Sequence, residues 1–115
     1  MRGVAAPVVL ALLSTAAAAQ PPPAISAAYL CDGGAVLRVA YINPAQAEGF
    51  AVVDWAGRLI PMRQLPAASG VRYVAFDEQD GHRWHTKGEE GFLARLAPDH
   101  TATEEVVLRG CRRIG

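Results

Sequence analysis

PAASGVRYVAFDEQDGHRWHTKG, residues 66–88, contains two short runs of mixed apolar and polar residues around a polar centre. The runs are 71–76 and 82–87, and both are rich in the β-branched and aromatic residues that favour strands. The centre, residues 77–81, holds two aspartates and a glycine, which favour turns. The segment therefore predicts an antiparallel β-hairpin.

A five-residue loop at 77–81 would place Phe76 opposite His82 and Val74 opposite Trp84. Because side chains alternate along a strand, each strand then has one face toward a core and one toward solvent. The predicted core face carries Val74, Phe76, Trp84 and Thr86. The predicted outer face carries Tyr73, Ala75, Arg83, His85 and Lys87.

The same hairpin brings the two ends of the segment together. Ser69 lies just before the first strand and Lys87 ends the second, so both are expected on one rim of the sheet. A register shift of one residue would reverse the two faces. It would leave the shared rim unchanged, since that depends only on hairpin formation.

Short strand-like runs recur about every ten residues along the rest of the chain, and no helical periodicity is sustained. The predicted strands are 27–31, 35–42, 50–54, 58–62, 71–76, 82–87, 92–97 and 105–111. Turns that contain Gly, Pro, Asn or Asp separate them, including a longer one at 98–103. This pattern predicts an all-β domain, either a small eight-stranded antiparallel barrel or a β-sandwich.

The two cysteines favour the barrel. Cys31 ends the first predicted strand and Cys111 the last, and a disulfide needs their Cα atoms within about 7 Å. A barrel places its first and last strands side by side. If loop-closure entropy in the unfolded chain is the main effect, a bond between Cys31 and Cys111 stabilises the fold by roughly 4 kcal/mol.

The N-terminal residues have the features of a secretory signal: Arg2, an apolar run and small residues at 17–19. We expect a signal peptide at 1–19, a Pro-rich leader at 20–26 and a folded domain at 27–115. The apolar run is short, Ala-rich and interrupted by Pro7, which argues against a membrane anchor. Export also favours the disulfide over free thiols.

The charge balance argues against nucleic-acid binding. The chain has 11 basic and 11 acidic residues, and removal of 1–19 would take away Arg2. No basic excess remains to hold a phosphate backbone. Lys87 is the only lysine; every other basic residue is an arginine.

PAASGVRY and WHTKGEE, bracketed by YLCDGG and a C-terminal cysteine, resemble the periplasmic and membrane-bound inhibitors of C-type lysozyme. The similarity covers residues 28–111. It implies an eight-stranded antiparallel barrel that inserts two loops into the lysozyme cleft, with Ser69 and Lys87 as the inhibitory residues. Residues that would shape these loops are Gly70, Tyr73, Thr86 and Gly88.

The resemblance implies C-type lysozyme as partner, no cofactor and no catalytic activity, with monomer and homodimer both open. The chain lacks the lipidation cysteine of the membrane-bound branch and so resembles the soluble periplasmic form. It also lacks an acidic excess that would attract a strongly cationic lysozyme, which leaves affinity and target range open.

The sequence also allows three other interpretations. Ser69 and Lys87 could form a hydrolase dyad, which would need a lysine base within ~3 Å and an oxyanion hole. His82 and His85, near two aspartates, suggest a metal site, but residues three apart on a strand face opposite ways. An exported barrel could instead bind a small ligand or cell-wall fragment in an apolar internal cavity.

Trp55 could be either an exposed contact residue or a partly buried turn aromatic.

Overall fold

The computed structural model describes residues 6–8, 23–97 and 103–115. The predicted signal peptide, apart from 6–8, lies outside these residues, as do the first part of the leader and most of the 98–103 connection. Within the described ranges, none of the residues belongs to a helix with the length and apolarity of a membrane span.

The eight strands are β1 (Ala24–Leu30), β2 (Val36–Ile42), β3 (Phe50–Trp55), β4 (Arg58–Leu65), β5 (Val71–Ala75), β6 (His82–Lys87), β7 (Glu90–Leu96) and β8 (Glu104–Arg113).

The strands form a closed antiparallel barrel in which each pairs with its neighbours in chain order. β8 closes it against β1 through the pairs Tyr29–Arg113 and Leu30–Arg112. Two further backbone bonds extend this seam, from Ala28 N to Gly115 O at 3.1 Å and from Ile114 N to Ala28 O at 2.8 Å. The predicted barrel is confirmed, and the sandwich alternative is wrong.

A disulfide joins Cys31 to Cys111, as predicted, across 80 residues of sequence. Cys31 directly follows β1 and leads into a short 3-10 turn at Asp32–Gly34. Cys111 lies in β8 and is fully buried. The bond therefore reinforces the seam that closes the barrel.

β1 begins three residues earlier than predicted, at Ala24. The prolines that argued against a strand end at Pro23, and its carbonyl accepts a hydrogen bond from Asn43 N at 2.8 Å. Ala24 pairs with Ile42, and Ile25 packs against the core. The last part of the predicted leader is thus strand, because its residues have the N–H groups that prolines lack.

Trp84 occupies the centre of the barrel and is fully buried. Its ring packs edge-on against Tyr29 at 5.0 Å between centroids. Its Nε1 donates a 2.8 Å hydrogen bond to the Tyr41 hydroxyl, which shares a second bond of 2.7 Å with the Tyr29 hydroxyl. Burial, and then the hydrogen bond with Tyr29, raise the pKa of Tyr41 above its usual range. The polar groups of these three buried side chains are therefore hydrogen-bonded to one another.

The predicted register of the β5–β6 hairpin is wrong by one residue. Tyr73 pairs with Trp84 and Val74 with Arg83, so Tyr73 and Ala75 point inward. Val74 is only half-buried and Phe76 is exposed, packing on Phe50 outside the barrel at 5.6 Å. Trp84 is a core residue as predicted, and Thr86 lies on the same face of β6 as predicted, although it is only half-buried. The core assignments of Val74 and Phe76, and the outer ones of Tyr73 and Ala75, are wrong.

Hydrogen bonds in the connecting loop explain the shift. Asp77 accepts from Gln79 N through its side chain, and its carbonyl accepts from Asp80 N, both at 2.9 Å. Phe76 N donates to Pro61 O at 3.0 Å and so faces β4 rather than β6. The loop consequently includes Phe76, which moves the hairpin register by one position.

Asp80 ties this loop to the barrel. Its carboxylate accepts from His82 N at 3.0 Å and also contacts the His82 ring and the Arg58 guanidinium. Burial on its own raises the pKa of Asp80, but the hydrogen bonds from His82 and Arg58 outweigh it and lower the pKa overall. The ionised carboxylate is therefore the form that stabilises the fold.

We expect Asp80→Asn to lower the free energy of unfolding at pH 7 by about 1.5 to 3 kcal/mol, the range for hydrogen bonds to charged groups. A carboxylate whose folded pKa is depressed stabilises above its unfolded pKa of about 3.9 and loses that effect as pH falls through the folded value. The difference from wild type should thus shrink below about pH 4 in denaturant titrations. Glu78→Gln, in the same loop, is the control, and an unchanged difference down to pH 2 would contradict this account.

Candidate functional site

Ser69 and Lys87 lie together at one end of the barrel. Lys87 is the last residue of β6, and Ser69 lies in the loop between β4 and β5. Both side chains are exposed, and both line one open groove of about 550 Å³. The hairpin thus brings the two residues to one rim despite the shifted register.

Gly70 makes the contact between these two segments. Its φ is +70°, and a Cβ built on it would lie 2.2 Å from the Thr86 carbonyl oxygen and 3.1 Å from the Lys87 Cβ. Real Cβ atoms do not approach backbone oxygen so closely. Only glycine therefore allows the Ser69 loop to pack directly on the backbone that carries Lys87.

Gly88 plays a different part at the neighbouring turn. Lys87 pairs with Glu90, so only Gly88 and Glu89 connect β6 to β7. Gly88 has φ +61°, and type II′ hairpin turns place glycine at this first loop position. The turn is two residues shorter than the predicted 88–91 connection. A Cβ built on Gly88 would have no neighbouring atom within 4 Å, so its contribution is its backbone conformation.

The other two predicted loop-shaping residues support the site from below. Tyr73 is a core residue whose ring packs 5.7 Å from that of Tyr41, and burial raises the pKa of Tyr73. Thr86 is half-buried and pairs with Val71. Both anchor β5 to β6 next to the rim.

The groove is locally cationic although the chain has a formal net charge of zero. Its charged lining residues are Lys87, Arg109, Arg112 and Glu90. Arg112 pairs with Glu90 at 3.7 Å. Among the residues that the structure describes, Lys87 takes part in no salt bridge. Its ammonium group is therefore available to a negatively charged partner.

Comparison with known proteins places the chain in a family. The family model described as "Membrane-bound lysozyme-inhibitor of c-type lysozyme", MliC, matches residues 29–102. The chain belongs to the MliC family. This confirms the resemblance carried by the two motif segments.

One curated relative of this MliC chain is the "Membrane-bound lysozyme inhibitor of C-type lysozyme" of Cupriavidus necator. It is 38% identical over 68 residues, which are 59% of this chain and 50% of the relative. The chain therefore matches about half the length of that relative.

The crystal structure of PliC-St, the periplasmic lysozyme inhibitor of C-type lysozyme from Salmonella typhimurium, has the same fold. It superposes with a TM-score of 0.69 at 23% identity, covering 80% of this chain and 99% of PliC-St. At this identity the likeness establishes the barrel architecture alone.

Sequence reasoning missed the side of the groove formed by β7 and β8. The groove is also lined by His85, Phe92, Val106 and the β8 segment 109–112. The His85 and Phe92 rings stack at 4.4 Å with an interplanar angle of 12°, and His85 Nε2 lies 3.1 Å from a Glu104 carboxylate oxygen. The signal for these residues was the order of the predicted strands, since the last strand pairs with the strand that follows the Lys87 turn.

His82 and Trp55 belong to the framework of the barrel, whereas His85 lines the groove. His82 is buried against Asp80, while His85 lies on the outer face. Within the described ranges, no group of three or more His, Cys, Asp or Glu residues is arranged to hold a metal. Trp55 is half-buried against the core, which fits the partly buried turn aromatic.

We expect Gly70→Ala to destabilise the protein and to displace the Ser69 loop, because its Cβ would overlap the Thr86 carbonyl. The cost should exceed about 2 kcal/mol, since overpacking adds to left-handed backbone strain. Gly88→Ala is the matched control: it has the same sign of φ but open space, so it should cost only about 1 kcal/mol. Equal losses of stability in thermal unfolding would show that the contact at Gly70 is unimportant.

Proposed function

We propose that this chain inhibits C-type lysozyme by inserting the Ser69 loop and the Lys87 turn into the active-site cleft of the enzyme. The observation that carries the proposal is the placement of both exposed side chains at one groove, with no ion pair to Lys87 among the described residues. Membership of the MliC family supports it. Ser69 and Lys87 are the residues that contact the enzyme, and Gly70, Tyr73, Thr86 and Gly88 hold them in position.

The chemistry of the target explains this choice of residues. A lysozyme cleft contains two carboxyl groups, one a general acid with a raised pKa and the other ionised. The Lys87 ammonium complements the ionised group. The Ser69 hydroxyl can donate to or accept from the acid, whichever form it takes. A lysine also enters a narrow cleft more easily than the wide, planar head of an arginine.

One such contact is too weak to account for tight inhibition. A hydrogen bond to a charged group contributes about 1.5 to 3 kcal/mol, whereas micromolar binding needs about 8 kcal/mol. The remaining energy must come from surface buried around the two side chains. The part of the groove that β7 and β8 form lies beside these two side chains and supplies that surface.

Catalysis by Ser69 and Lys87 is disfavoured by their surroundings. A serine nucleophile needs a desolvated base and an oxyanion hole, and both residues are exposed at an open groove. We therefore propose a non-catalytic protein. We also propose that it acts after export, with residues 1–19 removed as a signal peptide and 20–26 preceding the 27–115 domain, in the periplasm, where its disulfide can form.

We expect Ser69→Ala and Lys87→Ala each to raise the concentration needed for half-inhibition of a C-type lysozyme. Loss of a charge-assisted contact predicts roughly a ten-fold to hundred-fold effect for Lys87→Ala and a smaller one for Ser69→Ala. Lysis of bacterial cell walls, followed by turbidity, is the measurement. G-type and I-type lysozymes assayed in parallel should be unaffected by the wild-type protein.

Gln79→Ala serves as the control, because Gln79 is exposed in the loop between β5 and β6, at the far end of β6 from Lys87. Circular dichroism and melting curves should show that all variants remain folded. Lys87→Arg separates charge from shape, and we expect it to restore only part of the potency. Full potency in both alanine variants would reject the proposed contact.

Binding should weaken as pH falls far enough to protonate the carboxylates of the target, below about pH 5. Protonation removes the negative charge that Lys87 contacts, so Lys87→Ala should show a smaller pH dependence than the wild type. Calorimetric titration between pH 7 and pH 3, with both proteins shown to be folded, measures this. Identical pH profiles for the wild type and Lys87→Ala would count against the proposal.

A further inference from the structure

The ladder between β7 and β8 contains an extra residue next to the groove. Gly91 pairs with Cys111 and Leu93 with Leu108. Phe92 alone therefore faces both Arg109 and Gly110, which is the arrangement of a β-bulge. Such bulges redirect a side chain and are common beside functional sites.

Several contacts fix the bulge in place. Gly110 has φ +58°, and a Cβ built on it would lie 2.4 Å from a carboxylate oxygen of Asp32. The next residue, Cys111, is bonded to Cys31. The bulge is thus held by the disulfide on one side and by the 3-10 turn that carries Asp32 on the other, so its conformation is built into the fold.

The bulge presents Arg109 to the groove that Ser69 and Lys87 also line. Arg109 is exposed, and it forms no salt bridge with any residue that the structure describes. Arg112, by contrast, has its charge compensated by Glu90. Lys87 and Arg109 are therefore the two groove cations without an acidic partner among the described residues.

We propose that Arg109 is a specificity-determining residue of the inhibitory site, contacting a second carboxylate on the lysozyme surface beside the cleft. This inference rests on the proposed function. Lys87 contacts the catalytic carboxylate, and Arg109 fixes the orientation of the enzyme along the groove. An arginine suits this role because its planar guanidinium binds a carboxylate through two parallel hydrogen bonds. Lysozymes with an acidic residue at the facing position are bound more tightly than those without one.

The test compares Arg109→Ala, Arg109→Lys and Arg95→Ala in binding to a purified C-type lysozyme that the wild-type protein inhibits. Arg95 is an exposed arginine of β7 that lies outside the groove, so it controls for loss of one positive charge. Surface plasmon resonance at 50 mM and 500 mM NaCl gives the association and dissociation rates. Melting temperatures show that the variants are folded.

We expect Arg109→Ala to weaken binding roughly ten-fold at low salt and less at high salt, as for loss of one charge-assisted contact. Arg109→Lys should recover part of the loss, and Arg95→Ala should match the wild type. If Arg109→Ala equals Arg95→Ala while Lys87→Ala is weakened, the role of Arg109 is rejected and the proposed function stands. If the wild-type protein inhibits no C-type lysozyme, both are rejected.

Discussion

The close packing of Gly70 on the Thr86 carbonyl is the constraint on which the site depends. No side chain fits between these two backbone segments, since a Cβ would lie 2.2 Å from the oxygen. The contact joins the Ser69 loop to the end of β6 and leaves the exposed Ser69 and Lys87 side chains lining one groove. Without it, the loop between β4 and β5 would be free to move away from the Lys87 turn. The two groups would then no longer act as one rigid element.

The barrel interior supports that rim from beneath. Trp84, two residues before Thr86, fills the core and is oriented by its hydrogen bond to Tyr41. Its indole extends to the start of β7, where a Cβ on Gly91 would lie 2.6 Å from the ring. The glycine that follows the Lys87 turn is therefore needed by the core. A single buried residue thus fixes both strands that meet at the turn, and this limits how far Lys87 can shift.

The sequence was sufficient for the features that depend on pattern and position. Alternating short runs predicted eight strands, and the cysteines near the two ends predicted how the barrel closes. The shared rim was predictable because any register of the β5–β6 hairpin places Ser69 near Lys87. The register itself depended on hydrogen bonds made by the side chains of Asp77 and Asp80, which residue type alone does not specify. The bulge at Arg109 depends on the packing of Asp32 against Gly110 and on the Cys31–Cys111 bond. Asp32 and Gly110 are far apart in the sequence and meet only in the folded barrel.

A crystal structure of the complex with a C-type lysozyme tests the central claim most directly. The account predicts that Lys87 Nζ lies about 2.7 to 2.9 Å from an oxygen of the ionised cleft carboxylate, the range for charge-assisted hydrogen bonds. It also predicts the Ser69 hydroxyl within hydrogen-bonding distance of the catalytic acid. A complex in which the enzyme binds another face of the barrel, with Lys87 left in solvent, would contradict the account.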